Sequence, residues 1–134
     1  MGILADNGVE LLGPDVPDAF RYDCDGCSCS PDTVAGVNLR PACVVHDWRY
    51  AEVRTLVREM KHVYPEQRGR WKKMVRNMRK RADRELLANM RRCSVGCGWF
   101  ARASVAAYSL LAWRAVRRLG WHAVRKAGRA AYDA

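Results

Sequence analysis

The strongest constraint on the fold is a single apolar stripe. Between about Arg70 and Arg92, Trp71, Val75, Met78, Ala82, Leu86 and Met90 recur at steps of three and four. That period puts these side chains on one side of an α-helix. It does not fit a strand, where successive side chains alternate between faces. The other side of the helix is dense with Arg and Lys, which belong in water. A long helix with one apolar face must bury it against another element, so the rest of the chain has to supply the cover.

Two other blocks qualify as that cover. Pro41 suits the first turn of a helix, and a helix is expected from there to about His62, before Tyr64-Pro65 and Gly69 break the chain. A third helix is expected from about Phe100 to Leu119, with Val105, Tyr108, Ala112, Val116 and Leu119 on one side. Gly120 and Gly128 weaken the helical pattern past Leu119, and Cys93-Ser94-Val95-Gly96-Cys97-Gly98 ends the second helix. Residues 1–20 form a mostly acidic lead-in broken by Gly13-Pro14 and Pro17, expected as loop with room for a short helical turn. Residues 21–40 show no period and read as a structured loop. Strand alternation and internal repeats are absent. The expected fold is all-α, with a lead-in (1–20), one helical domain (21–120) and a basic tail (121–134).

With 134 residues and 49% hydrophobic content, one domain with a modest core is expected. A net charge of +10 directs such a chain toward polyanions: nucleic acid, an anionic membrane or an acidic partner. The longest uncharged stretch, Ala103 to Trp113, is bracketed by Arg102 and Arg114 and is too short to span a bilayer. Contact with a membrane surface is expected rather than passage through it. The count of Cys, 6, is even, as a disulfide framework requires, and disulfides imply an oxidising compartment. Met1 to Gly13 carries no Lys or Arg and no sustained apolar run, so it does not read as a signal peptide. Either such a segment was removed, or the protein is exported or released another way, as delivery by a virus or phage would allow. Gly-x-Ser-x-Gly elbows, P-loops and dinucleotide fingerprints are missing, which argues against serine lipases and nucleotide enzymes.

The chemistry concentrates in Pro41-Ala42-Cys43-Val44-Val45-His46-Asp47-Trp48-Arg49-Tyr50 and in the upstream loop Asp23-Cys24-Asp25-Gly26-Cys27-Ser28-Cys29-Ser30-Pro31-Asp32. Adjacent helical residues point about 100° apart, so His46 and Asp47 do not pair but border one pocket from two directions. A neutral His46 can take a proton from water. Asp47 can bind a cation that polarises a carbonyl. Tyr50 lies one turn along, on the face of His46. A base of this kind works better when a carboxylate holds its other ring nitrogen. Asp83 is the candidate, because it borders the apolar stripe of the second helix, where a carboxylate is costly unless partnered. Together these residues suggest calcium-assisted ester hydrolysis.

The same residues resemble the secreted phospholipase A2 superfamily, most closely its bacterial and fungal branch. The resemblance is carried by Asp25-Gly26-Cys27, Ser30-Pro31-Asp32, Gly36, Pro41-Ala42-Cys43, His46-Asp47 and Tyr50, then by Arg81-Ala82-Asp83 with Met90 and Cys93, and more loosely by Ala107-Tyr108 and Ala115-Val116. It covers roughly residues 22–120. It implies a phospholipase A2-like fold: two antiparallel, disulfide-braced helices, a calcium-binding loop and a C-terminal helix. It implies His46 as the base that activates water, Asp83 orienting His46, and Tyr50 fixing that carboxylate. Asp47, Asp25 and the Gly26 carbonyl would ligate Ca²⁺, an all-oxygen set suited to a hard cation. Cys27–Cys43 and Cys93–Cys97 would be bridges, leaving Cys24 and Cys29 for a third. The implied partner is a phospholipid surface, anionic in view of the charge, with no nucleic acid required, and the implied setting is extracellular. The chain departs from the family in a longer, strongly basic His62–Met74 segment and in lacking the Tyr-Gly-Cys-Gly run of the animal enzymes.

Two other readings stand beside this one. Cys24, Cys27, Cys29 and Cys43, with His46, are compatible with Zn²⁺ coordination, although the second half of the chain offers no ligand pair of standard spacing. The basic helices, with Trp99, Phe100, Trp113 and Trp121 nearby, also suit a non-catalytic membrane- or nucleic-acid-binding protein on the same scaffold.

Overall fold

The computed structural model describes residues 2–23 and 32–130, and side chains except at 21–23, 68 and 120–130. The described residues are mostly helical. A short α1 (Asp18–Asp23) is followed by a two-stranded hairpin, β1 (Thr33–Val34) and β2 (Val37–Asn38). Then come α2 (Arg40–Val63), a 3-10 turn at Pro65–Gln67, α3 (Arg68–Cys93) and α4 (Trp99–Ala130).

The stripe of α3 behaves as its period requires: Trp71, Val75, Ala82, Leu86 and Met90 are buried and Met78 is partly so. Its cover is α2, which buries Ala42 to His46, Tyr50 and Val53. Contacts run in reverse order along the pair. Val53 packs with Trp71 and Val75, Tyr50 with Ala82, and the start of α2 with Leu86, Met90 and Cys93. The two helices are therefore antiparallel. α4 closes the third side through Val105, which is fully buried, and through Tyr108, Ala112 and Val116. Leu119, expected on that stripe, is instead 60% exposed, because α4 has run past the core by then. The backbone of α4 continues helically through Gly120 and Gly128 to Ala130; a single glycine costs a helix only about 1 kcal/mol. No helix among the described residues is long and apolar enough to cross a membrane.

Residues 2–16 lie against α3 and α2. Ile3, Ala5, Leu11 and Val16 are buried in the main core. Asn89, with no exposed surface, donates to the Leu12 carbonyl and accepts from the Leu12 amide, both at 2.8 Å. Asn7 Nδ2 donates to the carbonyls of Arg92, Cys93 and Val95 at 3.0, 3.4 and 2.8 Å, satisfying groups that the C-terminus of α3 leaves open. Gly13 is required where this segment crosses α2: its φ is +130°, and a Cβ there would stand 2.6 Å from Val45 Cγ1.

The hairpin is absent from the sequence reading because strands of two residues are too short to show alternation. It is built on Ala35-Gly36, with φ of 50° and 79°, the positive pair of a type I′ turn. Its second strand leads into Leu39, fully buried, whose amide donates to the Asp32 carbonyl at 2.7 Å and so aims the start of α2. Phe20 of α1 packs edge-on against Trp48 of α2, centroids 5.0 Å apart.

The cysteines require a correction. Cys93 and Cys97 are free thiols, so this pair does not brace the helices. Cys93 closes α3 with its thiol buried against the backbone of Ala42 in α2, and burial pushes its pKa up to about 11. Cys43 is disulfide-bonded. Cys24, Cys27 and Cys29, and the pairings expected of them, lie outside the described residues.

Candidate functional site

Helix period brings His46 and Tyr50 to one face of α2, rings 4.4 Å apart and tilted by 49°. The antiparallel α3 then sets Asp83 against both. His46 Nε2 stands 2.9 Å from Asp83 Oδ1, and the Tyr50 hydroxyl donates to the same oxygen at 2.6 Å. Asp83 has no exposed surface and His46 is 6% exposed. A buried carboxylate calls for donors, so the tautomer that fits carries its proton on Nε2 and leaves the Nδ1 lone pair available. Nδ1 lies 4.0 Å from Asp47 Oδ1, beyond hydrogen-bond distance.

The other oxygen of Asp83 belongs to a residue that the sequence reading passed over. Arg117 of α4 donates from Nη1 to Oδ2 at 2.9 Å. In the sequence Arg117 is one of a run of basic residues and reads as outer face. The available signal was its place two turns beyond Ser109, which is fully buried, and next to Val116, which packs on the core. A second cross-helix pair was also missed: Arg49 holds Glu85 through Nε and Nη2 at 3.0 and 2.9 Å, and the carboxylate beside it raises its pKa.

The electrostatics arise from these contacts. Burial by itself would raise the Asp83 pKa. Hydrogen bonds from His46, Tyr50 and Arg117, with the electrostatic attraction of the His46 ring, outweigh it and hold the carboxyl below its ordinary range. Tyr50 moves the other way. Burial, then the hydrogen bond to Asp83 and its negative charge, push the phenol well up, with Arg79 opposing weakly. Tyr50 therefore remains a donor at any physiological pH.

Asp47 is the one expected cation ligand among the described residues. Its carboxylate is 34% exposed and flanks His46 Nδ1, and an accessible oxygen donor suits a hard cation. Arg54 lies within electrostatic reach of it. The other two expected ligands, Asp25 and Gly26, lie outside the described residues, and no group of three or more His, Cys, Asp or Glu poised to hold a metal occurs among the described ones. The zinc reading loses one ligand, because the Cys43 sulfur is committed to a disulfide. The site thus joins His46, Tyr50, Asp83 and Asp47 of the sequence reading and adds Arg117. No protein-family model matches the chain, and no curated protein or solved structure matches it either.

Proposed function

We propose that the chain is a calcium-dependent phospholipase A2 that hydrolyses the sn-2 ester of glycerophospholipids. One observation carries this reading: His46 Nε2 sits 2.9 Å from a fully buried Asp83 carboxylate that Tyr50 also holds. That arrangement fixes the ring and its tautomer and frees Nδ1 to act as a base. His46 Nδ1 takes a proton from water as the water oxygen adds to the ester carbonyl. The same proton then passes to the departing lysophospholipid oxygen as the acyl C–O bond breaks. Asp83 stabilises the imidazolium that forms between these steps, and Tyr50 and Arg117 keep Asp83 in place. Asp47, with Asp25 and the Gly26 carbonyl, would hold Ca²⁺, which when bound polarises the ester carbonyl and balances the lipid phosphate. The phospholipase A2-like fold and an extracellular setting belong to the same proposal.

Membrane contact is supported by the start of α4. Trp99 is 82% and Phe100 64% exposed, their rings edge-to-face at 6.0 Å, with Arg91 and Arg102 beside Trp99. Aromatics flanked by cations suit an anionic interface.

The test is fatty-acid release from mixed phospholipid vesicles, with calcium and then with excess chelator. Calcium-dependent sn-2 release, lost in His46→Ala and Asp47→Asn while the fold survives, is expected. Loss of the base should cost on the order of 10²–10⁴ in rate. Normal turnover in either variant would refute the assignment. Absence of release, with salt-sensitive and chelator-insensitive vesicle binding, would favour a non-catalytic membrane-binding protein.

A further inference from the structure

α4 meets the candidate site through Arg117 and the core through Val105, and it leaves an apolar row uncovered among the described residues. Trp99, Ala103, Ala107 and Leu110 succeed one another at steps of four, four and three, with Phe100 and Leu111 beside them, so all six share one side of the helix. That side lies opposite the one that buries Val105 and Ser109. All six are exposed, Leu110 at 44% and Leu111 at 63%. At the α-helical rise the row is about 18 Å long. Large apolar side chains gathered in one exposed row, rather than scattered singly, mark an interaction surface.

Charge identifies what covers it. The row runs on into Arg114 and Arg118 at two further steps of four, and Arg91 and Arg102 stand at its other end beside Trp99. From Trp99 to Ala130, α4 holds no Asp or Glu. A second copy is a poor cover. Pairing the same patch on two chains, in either direction, sets arginines against arginines, between chains that each carry a net charge of +10. An anionic leaflet matches both features, with acyl chains for the row and phosphates for the cations. We propose that the outer face of α4 from Trp99 to Leu111 is a docking surface for an anionic phospholipid leaflet, with α4 lying along the interface. The six apolar side chains enter the acyl boundary, while Arg102, Arg114 and Arg118 extend along their own stems to the phosphates. The proposal rests on the membrane contact proposed above, which it extends beyond the first turn of α4, and does not depend on hydrolysis.

The test is co-sedimentation of the full chain with phosphatidylcholine vesicles, with and without phosphatidylglycerol, in calcium-free buffer so that no turnover enters. Phe100→Gln/Leu111→Gln removes apolar surface from the row, and Val63→Gln/Tyr64→Gln removes exposed apolar surface at the C-terminus of α2. Arg114→Gln/Arg118→Gln removes charge from the end of the row, and Lys73→Gln/Lys80→Gln removes equal charge from exposed positions of α3. Binding that needs phosphatidylglycerol, is weakened roughly tenfold or more by each α4 variant and is weakened far less by either control is the expected result. Equal losses in a variant and its control, or no binding, would overturn the proposal. So would dimerisation of the wild type in sedimentation equilibrium that Phe100→Gln/Leu111→Gln abolishes while vesicles stay unbound. Fatty-acid release from a short-chain phospholipid dispersed as monomers tests hydrolysis separately. Release without vesicle binding overturns the docking surface alone, and vesicle binding without release overturns the hydrolytic assignment alone.

Discussion

Replacing Arg117 by Met removes the donor to Asp83 Oδ2 while keeping most of the side-chain length, which makes it a direct probe of the buried carboxylate. The lost contact is a charge-assisted hydrogen bond of 2.9 Å to a group with no exposed surface. Hydrogen bonds to charged groups contribute about 1.5–3 kcal/mol, and breaking a fully buried ion pair costs about 3–5 kcal/mol. The Arg117 side chain is 27% exposed, so water can partly replace it, and a loss of about 2–3 kcal/mol is expected. Urea unfolding of wild type, Arg117→Met, Asp83→Asn and the double variant, at pH 7, measures this and isolates the coupling between the two residues. The pH dependence gives a second reading. The folded-state pKa of Asp83 lies below its unfolded value, so its contribution is full above that unfolded value, near ~3.9, and is lost as pH falls through the folded pKa. The stability gap between wild type and Arg117→Met should therefore narrow as the pH drops through that window. A variant within about 0.5 kcal/mol of wild type, or a gap unchanged by pH, would refute the claim that Arg117 holds this carboxylate.

Asn89→Ala should destabilise the chain by about 2 kcal/mol, because it leaves both the amide and the carbonyl of Leu12 without their partner; thermal unfolding measures it, and an unchanged midpoint would mean that residues 2–16 do not depend on this contact. Ala35→Gly should stabilise by up to about 1 kcal/mol, since Ala35 holds a left-handed φ of 50° that glycine adopts freely. A destabilised variant in the same unfolding assay would place the turn elsewhere. Cys97 should react with a thiol reagent in the native state at pH 8 while Cys93 reacts only on unfolding, because Cys93 is buried and its pKa stands at about 11; mass spectrometry of the labelled peptides decides it.

What the sequence made legible is what periodicity and local spacing encode. The stripe from Trp71 to Met90 predicted α3, and Pro41 with the Tyr64-Pro65 break predicted α2. One-turn spacing put Tyr50 beside His46, and the cost of a bare carboxylate at the edge of an apolar stripe pointed to Asp83. The features that were missed depend on distant partners. Residues 2–16 look like a loop because their four buried side chains, Ile3, Ala5, Leu11 and Val16, obey no helical or strand period; tertiary contacts to Asn89 and Arg92 give them their structure. The hairpin turns on two positive φ angles, only one of them at a glycine. Arg117 lies 34 residues from Asp83 in a run of similar cations, and only its helical register with Ser109 and its place beside Val116 set it apart.

The arrangement of charge links these points. Few carboxylates face this many cations, yet two of them, Asp83 and Glu85, are placed at helix contacts rather than spread over the surface. Each gathers a cation from another helix: Arg117 of α4 on Asp83, Arg49 of α2 on Glu85. A buried carboxylate with a single donor would be expelled or protonated. With donors from α2 and α4 converging on α3, Asp83 stays charged and the three helices are held in register about it. The same contacts that keep Asp83 ionised also fix the His46 ring. A loosened α4 would then reach the proposed base through Arg117 without any change in α2. Arg117→Lys separates the two roles: a point charge retained without the planar fork should recover stability in part, while turnover, if hydrolysis is the function, should fall with KM little changed. Equal recovery of both would mean that the charge alone, and not the geometry it imposes on Asp83, supports His46.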